Sequence, residues 1–289
     1  MLPHRLSCLL GLSLGLSALA GCTLAPTTAD LPRPLHRTTV WAVTDTAELV
    51  RVHAGQPQTV LTRLPLRGLP PGEQLVGLDF RVARGVLYAL TSGGQLCTLD
   101  TTTGQLQPVG PAVAALRQPG RVGFDFNPVA DRVRVVTESG QNLRLHPDTG
   151  AVAATDPPLQ WSSQTGMGMG SDTPRITAAA YTYHPQNDKL TTNYAVDLAT
   201  GHLLTQGTHE SVQPAISPNT GWLFPVGALG TGPVEDAAFD ISDVDNHALA
   251  ALRQRGRTQL HWLDLATGRA TRIGPVGNGQ ALWGLAIEP

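Results

Sequence analysis

The chain has 289 residues, of which 41% are hydrophobic and 15% charged; that is enough apolar matter for a sizeable core and too little charge for a solvated, disordered polymer. Twenty basic residues, with Lys189 the one lysine, stand against 22 acidic residues for a formal charge of -2, and no block of like charge is present to embrace a phosphate backbone, which argues against nucleic acid as a partner. Thirty-one glycines and 23 prolines without collagen's period mark a turn-dense chain and point to an all-β fold.

The N-terminus reads as an address. Met1 to Arg5 make a short basic start and Leu6 to Ala20 an apolar run of signal-peptide length, shorter than the about 20 residues that cross a membrane. The run ends in Leu19-Ala20-Gly21-Cys22, which resembles the lipobox of bacterial lipoproteins. That resemblance implies cleavage before Cys22, lipid on its thiol and a protein anchored at the cell envelope. Thr23 rather than Asp follows the cysteine, which by the same resemblance implies the outer membrane of a two-membrane cell. An ordinary secretory signal with a chance cysteine is the alternative. Three segments are expected: a lipoprotein signal peptide over 1–21, a Thr/Pro-rich tether over 22–37 and a folded domain over 38–289. With Cys8 removed and Cys22 lipidated, Cys97 is the one thiol left and forms no intramolecular disulfide. Its place in the alternating run Gln95 to Leu99 makes it a half-buried strand residue rather than a nucleophile.

The domain repeats itself. Strand-like runs at Val40 to Val43, Leu49 to Val52 and Gln58 to Leu61 precede the first of five short anchors: Gly77-Leu-Asp-Phe80, Gly123-Phe-Asp-Phe126, Ala178-Ala-Ala-Tyr181, Ala238-Phe-Asp-Ile241 and Gly284-Leu-Ala-Ile287. A second motif, a Thr-Gly turn, closes at Gly104, Gly150, Gly201 and Gly268, led by Asp100, His146, Asp197 and Asp264. An acceptor at the head of such a turn bonds backbone N–H groups across it, and glycine supplies the left-handed residue that closes a hairpin. Alternating runs such as Gly85 to Leu90 and Arg132 to Val136 lie between the motifs, giving four strands per unit. Units of about 40–50 residues with four strands each are β-propeller blades. The last anchor is followed only by Glu288-Pro289, whereas the N-terminal strands lack a first anchor. The C-terminal strand therefore completes the blade begun by the N-terminus, giving five blades closed by a clasp. Ser211 to Val234 fits no blade and reads as a long loop or an imperfect extra one, which keeps a six-bladed ring as the alternative.

The stretch Gly123 to Val136, with Gly140-Gln-Asn-Leu-Arg144 and Pro147-Asp-Thr-Gly150, resembles the bacterial domain-of-unknown-function family 4394. The similarity extends to Gly77 to Arg81, Leu87 to Leu90 and Ile176 to Tyr181, and covers most of Val40 to Pro289. It implies a secreted, repeat-built bacterial domain without an assigned activity.

Familiar catalytic patterns are absent: no Gly-x-Ser-x-Gly elbow, His-Glu-x-x-His, Walker loop or Cys-x-x-Cys pair occurs. Thr165 to Gly170 has alternating glycines without dinucleotide-loop spacing and reads as a connector. The histidines are scattered singly; His202 with His209, or His247 with His261, are the pairs that a zinc site would need to bring together. Trp41, Trp161, Trp222, Trp262 and Trp283 suit either blade packing or stacking on a planar ligand. One feature repeats with the fold. Asp79, Asp125 and Asp240 occupy the same place in three anchors, where Ala180 and Ala286 fill the other two. Because the first strand of a blade lies next to the propeller axis, three carboxylates are expected at one radius and depth. They serve either as caps for backbone N–H groups of their own or the next blade, or as ligands of a hard cation such as Ca²⁺, with Asn127, Asp131, Asp243, Asp245 and Asn246 as further oxygen donors. The sequence thus supports a lipid-anchored, non-catalytic binding or scaffold domain, with an envelope protein or saccharide as partner. The alternative is a calcium-dependent hydrolase working in the channel.

Overall fold

A computed structural model describes residues 31–289 apart from 118–119, 164–172, 185 and 188. The signal peptide, Cys8, Cys22, most of the tether and the Thr165 to Gly170 connector lie outside the described residues.

Five sheets make five blades, each ordered from the axis outward. In blade 1 the chain enters as β1 (Thr39–Thr44), β2 (Glu48–His53) and β3 (Val60–Pro65). Blade 2 holds β4 (Leu75–Arg81), β5 (Val86–Thr91), β6 (Leu96–Leu99) and β7 (Leu106–Pro108). Blade 3 holds β8 (Val122–Asn127), β9 (Arg132–Thr137), β10 (Asn142–Leu145) and β11 (Val152–Asp156). After the short β12 (Gln160–Trp161), blade 4 holds β13 (Ile176–Tyr181), β14 (Asn193–Asp197), β15 (His202–Gln206) and β16 (Trp222–Ala228). Blade 5 holds β17 (Asp236–Ile241), β18 (Ala248–Gln254), β19 (Arg257–Leu263) and β20 (Ala270–Pro275). The last strand, β21 (Leu282–Ile287), returns to blade 1 and pairs antiparallel with β1, Val40 opposite Ile287 and Ala42 opposite Leu285. The expected clasp is present, and the ring has five blades.

The five anchors are the innermost strands β4, β8, β13, β17 and β21, and each packs against the innermost strands of both neighbours. Their first residue is Gly or Ala because the ring is tight. A Cβ on Gly77 would sit 2.5 Å from Phe124 Cβ, and one on Gly123 2.8 Å from Ala179 Cβ. Five buried clusters fill the five blade interfaces. The cluster between blades 3 and 4 is the smallest, and there a buried arginine, Arg134, reaches Tyr181 and Asn142, Asp156 and Asn219.

The Thr-Gly turns form as their residues dictate. Asp100 Oδ1 accepts from Thr102 N at 2.7 Å, Asp264 Oδ1 from Ala266 N at 2.9 Å, and the closing Gly104 and Gly268 have φ of 73° and 79°. In blades 2, 3 and 5 the turn joins the third strand to the fourth; in blade 4 it joins β14 to β15, one hairpin earlier. That shift corrects the reading of Ser211 to Val234. The segment is neither a loop outside the blades nor a sixth blade: it supplies β16, the fourth strand of blade 4, and β12 adds to it in parallel, Gln160 opposite Trp222.

Candidate functional site

The repeat brings the three aspartates together. Asp79, Asp125 and Asp240 are 4%, 5% and 4% exposed, and one carboxylate oxygen of each lies within 4.8 Å of the others. Their partners form a rule. Asp79 Oδ2 accepts from Phe126 N at 2.7 Å, Asp125 Oδ1 from Tyr181 N at 3.0 Å and Asp240 Oδ2 from Ile287 N at 2.5 Å, so each carboxylate caps the N–H that follows the anchor position of the next blade. Ala180 and Ala286 cannot do the same for Ile241 and Phe80. Those two N–H groups are taken instead by the remaining oxygens of the aspartates that precede them, Ile241 N by Asp240 Oδ1 at 2.6 Å and Phe80 N by Asp79 Oδ1 at 2.7 Å. Three carboxylates thus satisfy all five N–H groups of one layer of the ring, which would otherwise be buried without acceptors.

Burial pushes all three acids upward, Asp240 to about 8, and mutual repulsion adds to the rise at Asp79 and Asp125. Five of the six carboxylate oxygens accept backbone N–H groups. Calcium takes six to eight oxygens, so the donor set fits backbone capping better than it fits a calcium cage.

Most of the other oxygen donors expected around the ring are engaged elsewhere. Asn127 Oδ1 accepts from Val129 N and Ala130 N, each at 2.9 Å. Asp131 holds the Arg81 guanidinium, its Oδ1 2.8 Å from Nε. Asp245 Oδ2 lies 2.8 Å from His247 Nδ1, and Asn246 bonds both the N–H and the carbonyl of Tyr183, at 2.8 and 2.6 Å. Asp243 differs: it accepts no hydrogen bond and meets no cation among the described residues, and burial alone pushes it to about 7.

The two ends of the axis are unlike. At the end where the innermost strands begin, the Arg121 guanidinium stacks 3.6 Å from the Trp283 ring centroid and pairs with Asp236 at 2.7 Å. The axial cavity there, lined by Gly77, Phe124, Ala179, Ala238 and Gly284 among others, measures about 20 Å³, room for about one water. At the end where these strands finish, above the carboxylate layer, lies a bowl of about 430 Å³ walled by Phe80, Val82, Phe126, Pro128, Tyr183 and Val244, with Arg81, Asp131 and Asp243 as its charged members. Val244 is the most exposed large hydrophobic residue described, at 66%.

Cys97 and four of the five tryptophans pack within or between the blades. Cys97 is buried in β6 and its thiol is pushed up to about 11, so it stays protonated and unreactive. No histidine joins a group of three metal-ligating side chains among the described residues. Trp283 stacks on Arg121, the Arg51 guanidinium lies 5.5 Å from the Trp41 ring centroid, and Trp161 and Trp262 pack against blade-interface clusters.

Ring, clasp and carboxylate layer define a five-bladed β-propeller with a filled axis and one open mouth. The chain belongs to the family described as domain of unknown function DUF4394, which matches residues 48–286. No curated protein sequence matches it. Among solved structures it is similar to a structural genomics protein of unknown function from Bacteroides thetaiotaomicron (12% identity, TM-score 0.49). That match covers 82% of this chain and 55% of the other, so the chain spans about half the length of that relative. It is also similar to a chain of a nidogen/laminin complex, at 11% identity and TM-score 0.46 over 87% and 98% of the two chains. A glutaminyl cyclase from Myxococcus xanthus matches at 12% identity and TM-score 0.43 over 79% and 99%. Likeness of this degree carries nothing about activity.

Proposed function

We propose that the protein is a lipid-anchored binding domain of the bacterial envelope, that it works without catalysis, and that its ligand sits in the mouth of the propeller above the carboxylate layer. The observation that carries this reading is the bowl of about 430 Å³, within the size range of small-molecule pockets and, like them, mostly apolar with a few polar groups. Its walls suit an organic body better than the hydroxyl-rich surface of a saccharide. The competing reading, a calcium-dependent hydrolase in the channel, needs an axial cavity that admits a substrate, and the cavity of about 20 Å³ weighs against it. Anchoring rests on Cys22 and its lipobox resemblance.

Two measurements test the proposal. A neutral apolar dye, Nile red, is expected to gain fluorescence with the wild-type protein and to lose that gain in Ala83→Trp, whose indole fills the bowl from its exposed rim. Dye binding that Ala83→Trp leaves intact would move the site elsewhere. For the anchor, wild-type protein is expected in the membrane fraction with an acylated Cys22, and Cys22→Ser is expected to carry no lipid; wild-type protein recovered unacylated, beginning at another residue, would sink that part of the proposal.

A further inference from the structure

The bowl is apolar and also lopsided in charge. Of its three charged side chains, Arg81 is saturated: its Nε and Nη2 reach the two oxygens of Asp131 at 2.8 and 2.5 Å, and its Nη1 reaches Asp148 Oδ1 at 2.5 Å. Asp131 is consumed by the same contacts. Asp243 is left, half-buried on the wall with no donor and no cation beside it among the described residues. Beneath it lie Asp79, Asp125 and Asp240, each close enough to Asp243 for their charges to repel. A carboxylate taken out of water without a partner is unfavourable, and a cation delivered to it removes that cost. The aromatic side chains of Phe80, Phe126 and Tyr183 line the same cavity, and ring faces attract cations.

Resting on the reading of the mouth as the binding site, we infer that the bowl takes a small organic ammonium, a primary amine on an aryl or alkyl body, with its nitrogen against the Asp243 carboxylate and its body among Phe80, Phe126, Tyr183 and Val244. A neutral ligand of the same shape fills the walls but leaves Asp243 unpaired. An anionic one meets repulsion from Asp243 and from any charge on the layer below. Arg81, the cation among the described residues lining the bowl, is held by Asp131 and Asp148 and is not free to reach Asp243.

Calorimetric titration of the folded chain with three probes of one shape separates these cases: phenethylamine, 2-phenylethanol and 3-phenylpropionate. The amine is expected to bind at least about tenfold more tightly than the alcohol, the difference that one favourable ion pair in a partly buried site supplies, with the acid weakest. Asp243→Asn keeps the shape of the wall and is expected to bring the amine down to the affinity of the alcohol, while the alcohol itself is unchanged. Equal binding of amine and alcohol, an amine affinity untouched by Asp243→Asn, or no binding of any probe would overturn the inference. Nile red binding that Ala83→Trp abolishes reads the mouth without reference to charge, so it stands or falls separately from the ammonium.

Discussion

Replacing the three axial aspartates by alanine one at a time gives a ranking that the geometry fixes in advance. Asp79 and Asp240 each satisfy two buried backbone N–H groups, whereas Asp125 satisfies one. A buried donor left without an acceptor costs about 1–3 kcal/mol. Asp79→Ala and Asp240→Ala are therefore expected to destabilise by about 2–6 kcal/mol and Asp125→Ala by about 1–3 kcal/mol. The asparagine variants retain one carbonyl acceptor, so Asp79→Asn and Asp240→Asn are expected to lose about half as much. Urea unfolding midpoints with an unchanged slope are the measurement, taken once with chelator and once with Ca²⁺. A cost for Asp125→Ala equal to or above the other two would refute the capping scheme. A wild-type midpoint that falls in chelator, with the three losses non-additive in Ca²⁺, would replace it by a shared cation site, since a bound ion stabilises in proportion to its occupancy and each substitution then removes the same ion.

The same groups set the pH dependence. Asp79, Asp125, Asp240 and Asp243 are raised in the folded state, so their contribution is fully present below the unfolded carboxylate value of about 4 and is lost as pH rises through the folded values, about 7 for Asp243 and about 8 for Asp240. The unfolding midpoint is expected to decline between pH 5 and pH 9, and Asp243→Asn to flatten part of that decline; a midpoint that climbs over this range contradicts the assignment. Gly123→Ala forces a methyl to 2.6 Å from Val136 Cγ2 and 2.8 Å from Ala179 N, and overpacking of this kind is expected to cost about 1–3 kcal/mol, read as a lowered midpoint; a neutral result would mean the inner ring has slack. Deleting Gly284 to Pro289 removes most of β21 and with it the Ile287 N–H that Asp240 caps, so the truncated chain is expected to lose its cooperative thermal transition, and retention of a sharp transition near the wild-type temperature would show that the clasp is dispensable.

Architecture was legible because two short motifs are pinned by local physics. The Thr-Gly turn needs its left-handed glycine, and the anchor needs a small first residue at the crowded axis, so both recur where the geometry recurs. Blade 4 hid from the same reading. Its Thr-Gly turn sits one hairpin early, between β14 and β15, and β16 is half-buried and interrupted by Pro225 and Gly227, which leaves little alternation to recognise as a strand.

The candidate site divides along a similar line. Asp79, Asp125 and Asp240 stood out because they share one place in the repeat, and both roles open to them, capping and cation binding, follow from that place alone. Choosing between the roles needs the two alanine positions. Only when Ile241 and Phe80 are seen to turn to the preceding aspartate does the count of five N–H groups against three carboxylates close, and the register of one blade on the next is invisible in a single strand. Asp243 and Arg134 show the opposite limit. Asp243 sits in a loop with Asp245 and Asn246, a composition that reads as turn chemistry, and what sets it apart is the lack of a partner among the described residues, a property of the space around it. Arg134 lies in Val133-Arg134-Val135, an ordinary alternating run. Its charge is buried at the blade 3–4 interface because Tyr181, Asn142, Asp156 and Asn219 converge on it from other strands and a distant turn. Sequence periodicity tells which face of a strand a residue takes; whether that face meets water, an apolar neighbour or an opposite charge is decided by the next blade.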